Sequence, residues 1–203
     1  MLAIVVLTLA SFGVLSIFHL NPAGNTLILL CLIQVLVDIL AFYMYTHFIL
    51  KASCKEVFGL YFKKLPKYLY LALLSLILLS LATFLVDNIF FQTLLKNTPS
   101  LETLYNENTF TLTCLAVIIA PLREELLFRG VLQPMITNKT NPYIGVILTA
   151  LIFTGCHLSY LTVPYVYVGL FMFAITVGIL RHKTKSIIPS YLVHLISNTV
   201  AMI

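Results

Sequence analysis

Charged residues crowd into one short apolar stretch of this chain, between Pro121 and Gly130. Ionisable side chains are costly inside a membrane span, so they are typical of functional sites or of paired charges. Glu125 and Arg129 are four residues apart with the acid first, which favours an ion pair on one helix. Glu124 points about 100° away on a regular helix, and this makes it the candidate for chemistry.

Two later segments offer partners for this carboxylate. His157 follows Phe153 by four residues, and His194 precedes Asn198 by four, so that each pair shares a helix face. At about 1.5 Å of rise per residue, Glu124 and His194 lie roughly 12 Å below the predicted helix ends. On the same rise, His157 and Asn198 lie roughly 20 Å deep. The sequence therefore predicts that these side chains meet near the middle of the membrane.

Such a set of side chains suits peptide hydrolysis without a nucleophilic serine. A buried carboxylate beside His157 could act as general base on water. His194 and Asn198 could donate hydrogen bonds to the developing oxyanion. Glu124, His157 and His194 are also possible zinc ligands. The HExxH pairing on one helix is absent, however, and asparagine is a poor zinc ligand, so catalysis without a metal or other cofactor is favoured.

Other interpretations use the same residues. A Glu–Arg pair can simply hold membrane helices together, and a lone membrane histidine can bond a neighbouring helix. A non-catalytic immunity or scaffold protein could bind a peptide or partner in the same cavity. A small proton-coupled carrier would also use buried acids and histidines. The joint occurrence of the three segments at compatible depths favours the enzyme.

The positioning elements are predicted to be membrane helices. Hydrophobic residues make up 61% of the chain and charged residues 9%, a composition typical of polytopic membrane proteins. We expect one all-α domain over residues 1–203, with the motif-bearing core at about 110–203. Seven helices are predicted: Met1–Leu20 (a membrane helix, since it has no basic n-region for a signal peptide), Thr26–Leu50, Tyr68–Phe91, Phe110–Leu132, Tyr143–Tyr160, Pro164–Leu180 and Ser186–Ile203.

Basic residues predict the orientation of these helices. With 51–67, 134–142 and 181–185 as cytoplasmic loops, nine of the twelve lysines and arginines lie inside. This places the N-terminus in the cytoplasm and the C-terminus outside. The lysines have no interleaved aromatic stripe, so nucleic acid is not an expected partner. Asp38, midway along the second helix, either pairs with Arg123 or bonds elsewhere within the bundle, as a structural residue.

The motifs Glu124-Glu125-x-x-x-Arg129, Phe153-x-x-x-His157 and His194-x-x-x-Asn198 resemble those of the CAAX protease and bacteriocin-processing family. This family of intramembrane endopeptidases was formerly called the abortive-infection family. The resemblance covers roughly the C-terminal half of the chain and includes a family-like run from Leu180 to Pro189.

The resemblance implies an all-helical membrane protease whose eukaryotic relatives remove the last three residues of prenylated CAAX proteins. It implies that Glu124 and His157 activate water and that His194 and Asn198 stabilise the oxyanion. Glu125 and Arg129 would hold the site. Family members are commonly labelled metalloproteases, although a glutamate-dependent, metal-independent mechanism is favoured. The short chain and minimal loops resemble prokaryotic members, which are linked to bacteriocin immunity, peptide processing and protein sorting at the plasma membrane.

Overall fold

A computed structural model of the chain describes residues 24–86, 88, 115–157 and 164–201. Within these ranges every regular element is a helix, as the composition predicts. The predicted first helix, Met1–Leu20, and the polar connection 92–108 lie outside the described residues. Eight α-helical segments are present there: α1 Gly24–Met44, α2 Cys54–Phe58, α3 Leu65–Val86, α4 Ala120–Glu124, α5 Gln133–Lys139, α6 Pro142–Gly155, α7 Pro164–Thr184 and α8 Ile188–Ala201.

The lysine-rich connection between α1 and α3 is more ordered than a plain loop. A π-helical turn, Tyr45–Ile49, extends α1, and α2 follows after Ser53. Ser53 and Glu56 form a capping box, in which each side chain accepts from the other residue's backbone N–H. Gly59 then ends α2 in the left-handed conformation at φ 65°, which glycine adopts without steric cost.

One continuous helix, which we term the composite helix, carries the first motif. It consists of a π-helical turn Leu115–Ile119, α4, a longer π-helical stretch Glu125–Leu132, and α5. The prediction that a loop begins at residue 134 is wrong, because the helix continues to Lys139. Pro134 stands in the first turn of α5, where a missing N–H is tolerated, and the wider π-helical turns end just before it.

The last three helices differ from prediction mainly at their ends. α6 ends at Gly155, earlier than the predicted Tyr160, and residues 158–163 lie outside the described part. α7 continues to Thr184, and Arg181 is buried. The prediction that residues 181–184 belong to a loop is therefore wrong. Only residues 185–187 connect α7 to α8.

These helices pack around α7, which contacts α3, α6 and α8. Its buried face carries Phe173, Ala174 and Val177. Phe153 of α6 packs between Phe128 and Phe173, with ring centroids 5.0 and 6.0 Å away. These aromatic contacts hold α6 and α7 against the composite helix, which carries the first motif.

Outward-facing surfaces of the bundle are apolar. Residues Cys54–Val86 and Val166–Thr184 are long and apolar enough to cross a membrane. Large side chains on α1 and α3, such as Leu36, Ile77 and Phe84, are more than half exposed. Exposed apolar surface of this extent is stable in lipid rather than in water, so the protein is an all-helical polytopic membrane bundle.

Candidate active site

Side chains from three separate elements converge on the Glu124 carboxylate. Glu124 is the last residue of α4 and is only 8% exposed. Its Oε2 atom lies 3.6 Å from Nε2 of His194 on α8 and 3.9 Å from Nε2 of His157. No residue in the described part forms a direct hydrogen bond to this oxygen. His157 and His194, two of the residues that the sequence predicts to meet Glu124, thus lie within 4 Å of its carboxylate.

Glu125 faces the other way and enters a fully buried charge pair. Its Oε1 atom lies 3.2 Å from Nη1 of Arg129, and both side chains are inaccessible to solvent. Arg129 also donates to the Ala174 carbonyl at 3.2 Å, and its guanidinium lies 4.5 Å from the centre of the Phe153 ring. The predicted Glu125–Arg129 pair is therefore present, although the helix is π-helical here and not regular.

His194 has a second carboxylate partner that the sequence did not reveal. Its Nδ1 lies 3.0 Å from Glu125 Oε1, so that Glu125 serves both Arg129 and His194. The Phe173 ring packs edge-on against the imidazole, with centroids 4.8 Å apart. Residues 125 and 194 are distant in the chain, and only the register between α8 and the composite helix brings them together.

His157 lies just beyond the end of α6, and the prediction that it is helical is wrong. Its backbone N–H donates to Thr154 O at 3.0 Å, which closes the final turn. Its Nδ1 lies 2.8 Å from the Phe153 carbonyl oxygen, and this bond caps the helix C-terminus as basic side chains commonly do. The cap fixes the ring so that Nε2 points to Glu124.

These contacts assign the tautomers of both imidazoles. Each Nδ1 faces an oxygen that can only accept, so each Nδ1 carries a hydrogen. In the neutral rings both Nε2 atoms would then present lone pairs to the Glu124 carboxylate. Three acceptors facing one another require a shared proton or a donor such as water. His194 contacts both carboxylates.

Asn198 lies one turn after His194 on α8 and is partly buried. The four-residue spacing keeps both side chains toward the same side of the helix. Asn198 is therefore one helical turn further along α8 than His194, which contacts Glu124, and this agrees with the spacing of the third motif.

Two buried arginines outside the predicted set connect the site to its surroundings. Arg123 donates through Nε to Asp38 of α1, so the pairing considered for Asp38 is present. Arg181 of α7 donates through Nε to Arg129 O at 3.0 Å and through Nη2 to Val57 O at 2.8 Å. The prediction that Arg181 lies in a loop gave no indication of these two hydrogen bonds.

Glu124, His157 and His194, the zinc ligands considered above, are spaced slightly more widely than ligands of a bound zinc ion. Ligand atoms about 2.0–2.1 Å from a tetrahedral zinc ion lie about 3.3 Å apart, whereas Glu124 Oε2 is 3.6 and 3.9 Å from the two imidazole nitrogens. Within the described ranges, no group of three or more His, Cys, Asp or Glu side chains is arranged to hold a metal ion.

Comparison with known proteins agrees with the motif resemblance. Residues 106–200 match the family model described as type II CAAX prenyl endopeptidase Rce1-like. No curated protein and no solved structure matches the chain. The matched segment contains all three motifs and nearly coincides with the predicted core at 110–203. The segment 106–200, which includes Glu124, His157 and His194, is thus similar to the Rce1-like type II CAAX prenyl endopeptidases.

Proposed function

We propose that the protein is an intramembrane endopeptidase that hydrolyses a peptide bond in a membrane-associated protein or peptide. One observation carries the proposal: a buried carboxylate, Glu124, has two imidazole Nε2 atoms within 4 Å and no direct hydrogen-bond partner on its Oε2 among the described residues. A water molecule at ordinary hydrogen-bond distance from all three atoms fits separations of 3.6 and 3.9 Å.

In this mechanism Glu124 is the general base and His157 orients the water. His157 is held by the Phe153 carbonyl, and its Nε2 lone pair accepts one hydrogen of the water. Glu124 takes the other proton as the water oxygen forms a bond to the scissile carbonyl carbon. Both groups are anchored before substrate arrives, so little reorganisation is needed during the reaction.

His194 and Asn198 stabilise the tetrahedral intermediate in this proposal. As imidazolium, His194 donates its Nε2 hydrogen to the oxyanion while Glu125 holds Nδ1. The Asn198 carboxamide supplies a second donor. Glu124 then passes its proton to the leaving nitrogen as the carbon–nitrogen bond breaks, giving a carboxylic acid and an amine. Glu125 and Arg129 are positioning residues, because they contact the catalytic groups and not the substrate.

The substrate class follows from the membrane location and the family. The catalytic groups lie within a bundle whose outer surface is apolar, so the substrate is membrane-embedded or delivered by the membrane. Peptide processing, bacteriocin immunity and protein sorting in a prokaryotic plasma membrane are the roles we propose, rather than processing of prenylated proteins. We further propose a cytoplasmic N-terminus, from the lysine-rich connection at 51–67.

The decisive experiment compares the termini of membrane proteins and released peptides in the native cell. Cells carrying the wild type, Glu124→Gln or the surface control Glu56→Gln should be compared at equal expression. We expect new termini with the wild type and Glu56→Gln that vanish with Glu124→Gln. Identical termini in all three strains would refute proteolysis and favour the non-catalytic immunity or scaffold protein.

A further inference from the structure

Two basic connections meet at one end of the bundle. Ile187 N–H donates to Phe58 O at 3.0 Å, which joins the α7–α8 connection to the end of α2. A Cβ atom on Gly59 would lie 2.0 Å from Lys185 O, so the two backbones are in direct contact. Arg181 reinforces the junction through its bond to Val57 O. Residues 51–67 therefore form one continuous surface with residues 182–187, which are the end of α7 and the α7–α8 connection.

Lysines dominate this surface, which we term the basic collar. All seven of them are exposed: Lys51, Lys55, Lys63, Lys64, Lys67, Lys183 and Lys185. Among the residues of both connections, the one acid is Glu56, whose carboxylate accepts from Ser53 N at 3.1 Å and Ser53 Oγ at 2.8 Å. No ion pair involves a collar lysine within the described part of the chain. The collar therefore has a strong positive potential.

The basic collar borders directly on the apolar surface of α3. Phe62 is 68% exposed, and Lys64 Nζ lies 5.6 Å from the centre of the neighbouring Tyr61 ring. Tyr70 and Leu73, two turns further along, are also more than half exposed. Aromatic rings between lysines and an apolar span are typical of the level of lipid headgroups, where lysine stems lie along apolar surface and their ammonium groups reach polar groups.

Arg181 adds positive charge beneath the collar. Its guanidinium is buried and donates hydrogen bonds to two backbone carbonyls, those of Arg129 and Val57. No carboxylate pairs with it within the described residues, in contrast to Arg123 and Arg129. A buried cation that bonds only to neutral groups is stabilised by an anion close to the same surface.

We propose that the basic collar binds the headgroups of anionic lipids. Such headgroups present phosphate at the level where the lysines meet the apolar helices, and this continuity with the lipid-exposed face of α3 favours a lipid over an acidic protein. Binding of this kind is electrostatic, so it should weaken as salt is raised. It is separate from peptide hydrolysis and does not involve the Glu124 pocket.

Lipid competition on the purified full-length protein tests this inference. The protein in neutral detergent is offered equal amounts of phosphatidylglycerol and phosphatidylcholine, and retained lipid is counted by native mass spectrometry. We expect preferential retention of phosphatidylglycerol by the wild type. Each lysine near an anionic surface contributes roughly fivefold, so Lys63→Gln/Lys64→Gln should weaken the preference by about 25-fold.

Matched variants separate charge from fold. Lys63→Arg/Lys64→Arg keeps the charge and should keep the preference, while Lys139→Gln removes an exposed lysine at the end of α5 and should change it little. Equal retention of both lipids by the wild type would overturn the proposal. An unchanged preference in the glutamine double variant would also overturn it. Capture of an acidic soluble peptide in place of lipid would assign the collar to a protein partner and reject the lipid.

Discussion

The two adjacent glutamates of the candidate site have different partners. Glu125 is neutralised by Arg129 and shared with His194, whereas Glu124 faces two imidazole nitrogens at 3.6 and 3.9 Å. Adjacent glutamates thus occupy different environments, although their side chains are chemically identical. This division of roles leads to opposite expectations for their substitution.

Glu124→Gln should abolish cleavage without unfolding the protein. The change keeps the shape and removes the base, so we expect a fall in the cleavage rate of about 10²–10⁴-fold. Stability should change little, because Glu124 Oε2 forms no direct hydrogen bond within the part of the chain that the structure describes. Rates on the substrate found in cells, and thermal unfolding by circular dichroism in detergent, measure both effects. A variant as active as the wild type would contradict the assigned role.

Glu125→Gln should lower both stability and activity. It leaves Arg129 fully buried without its anion, and breaking a buried pair costs about 3–5 kcal/mol. It also removes the carboxylate that holds Nδ1 of His194. Adding Arg129→Met should recover part of the stability but not the activity, because His194 remains unsupported. Recovery of the cleavage rate in the double variant would show that Glu125 acts only through folding.

Chelators provide a separate test of metal dependence. The spacing of Glu124, His157 and His194 is wider than a tetrahedral zinc site requires. We therefore expect the rate of cleavage to be unchanged after incubation with a strong chelator and dialysis. Loss of activity that added zinc restores would contradict the proposed mechanism.

Helix ends, more than helix middles, determine the geometry of the site at the scale of single elements. α6 stops at Gly155, and the cap made by His157 then orients its imidazole. α2 stops at Gly59, which lets the α7–α8 connection approach. In the composite helix, Gly130 leaves room for the Phe58 ring, since a Cβ there would lie 2.4 Å from that ring. Small residues thus permit the close contacts that hold the elements together.

Gly59→Ala and Gly155→Ala form a matched pair for testing this point. At Gly59 a side chain would meet the Lys185 carbonyl at 2.0 Å and would require φ 65°, whereas at Gly155 no described residue lies within 4 Å of the added atom. We expect Gly59→Ala to destabilise by more than about 1 kcal/mol and Gly155→Ala to be neutral or slightly stabilising. Thermal unfolding in detergent measures both. Equal unfolding temperatures would show that the α2 contact is not needed.

At the scale of the whole molecule, α1 is held to the bundle by a narrow stripe. Asp38, Phe42, Tyr45 and Thr46 are buried at helical spacing, while Leu40, Tyr43 and Phe48 face outward. Phe42 packs edge-on against Phe58, with ring centroids 6.1 Å apart. Asp38 accepts from Arg123, the residue before Glu124. The Asp38–Arg123 contact thus attaches α1 directly to the composite helix.

Asp38→Leu should therefore destabilise the protein more than Asp38→Leu/Arg123→Met does. The single change leaves the Arg123 guanidinium buried without the Asp38 carboxylate, at a cost of about 3–5 kcal/mol, whereas the double change removes both charges. A double-mutant cycle on unfolding temperature would measure the coupling. Additive effects of the two changes would show that the pair does not link α1 to the bundle.

Sequence alone determined the helical membrane class, the three motifs and the Glu125–Arg129 pair. These features depend on composition and on spacing within one helix, where geometry is local. Only the tertiary structure decided that Glu125 also holds His194, that Arg181 is buried and donates to two backbone carbonyls, and that His157 caps α6. These contacts join residues brought together by helix packing, or depend on where a helix ends. Periodicity carries no information on either, because register and helix ends are set by side chains of neighbouring elements.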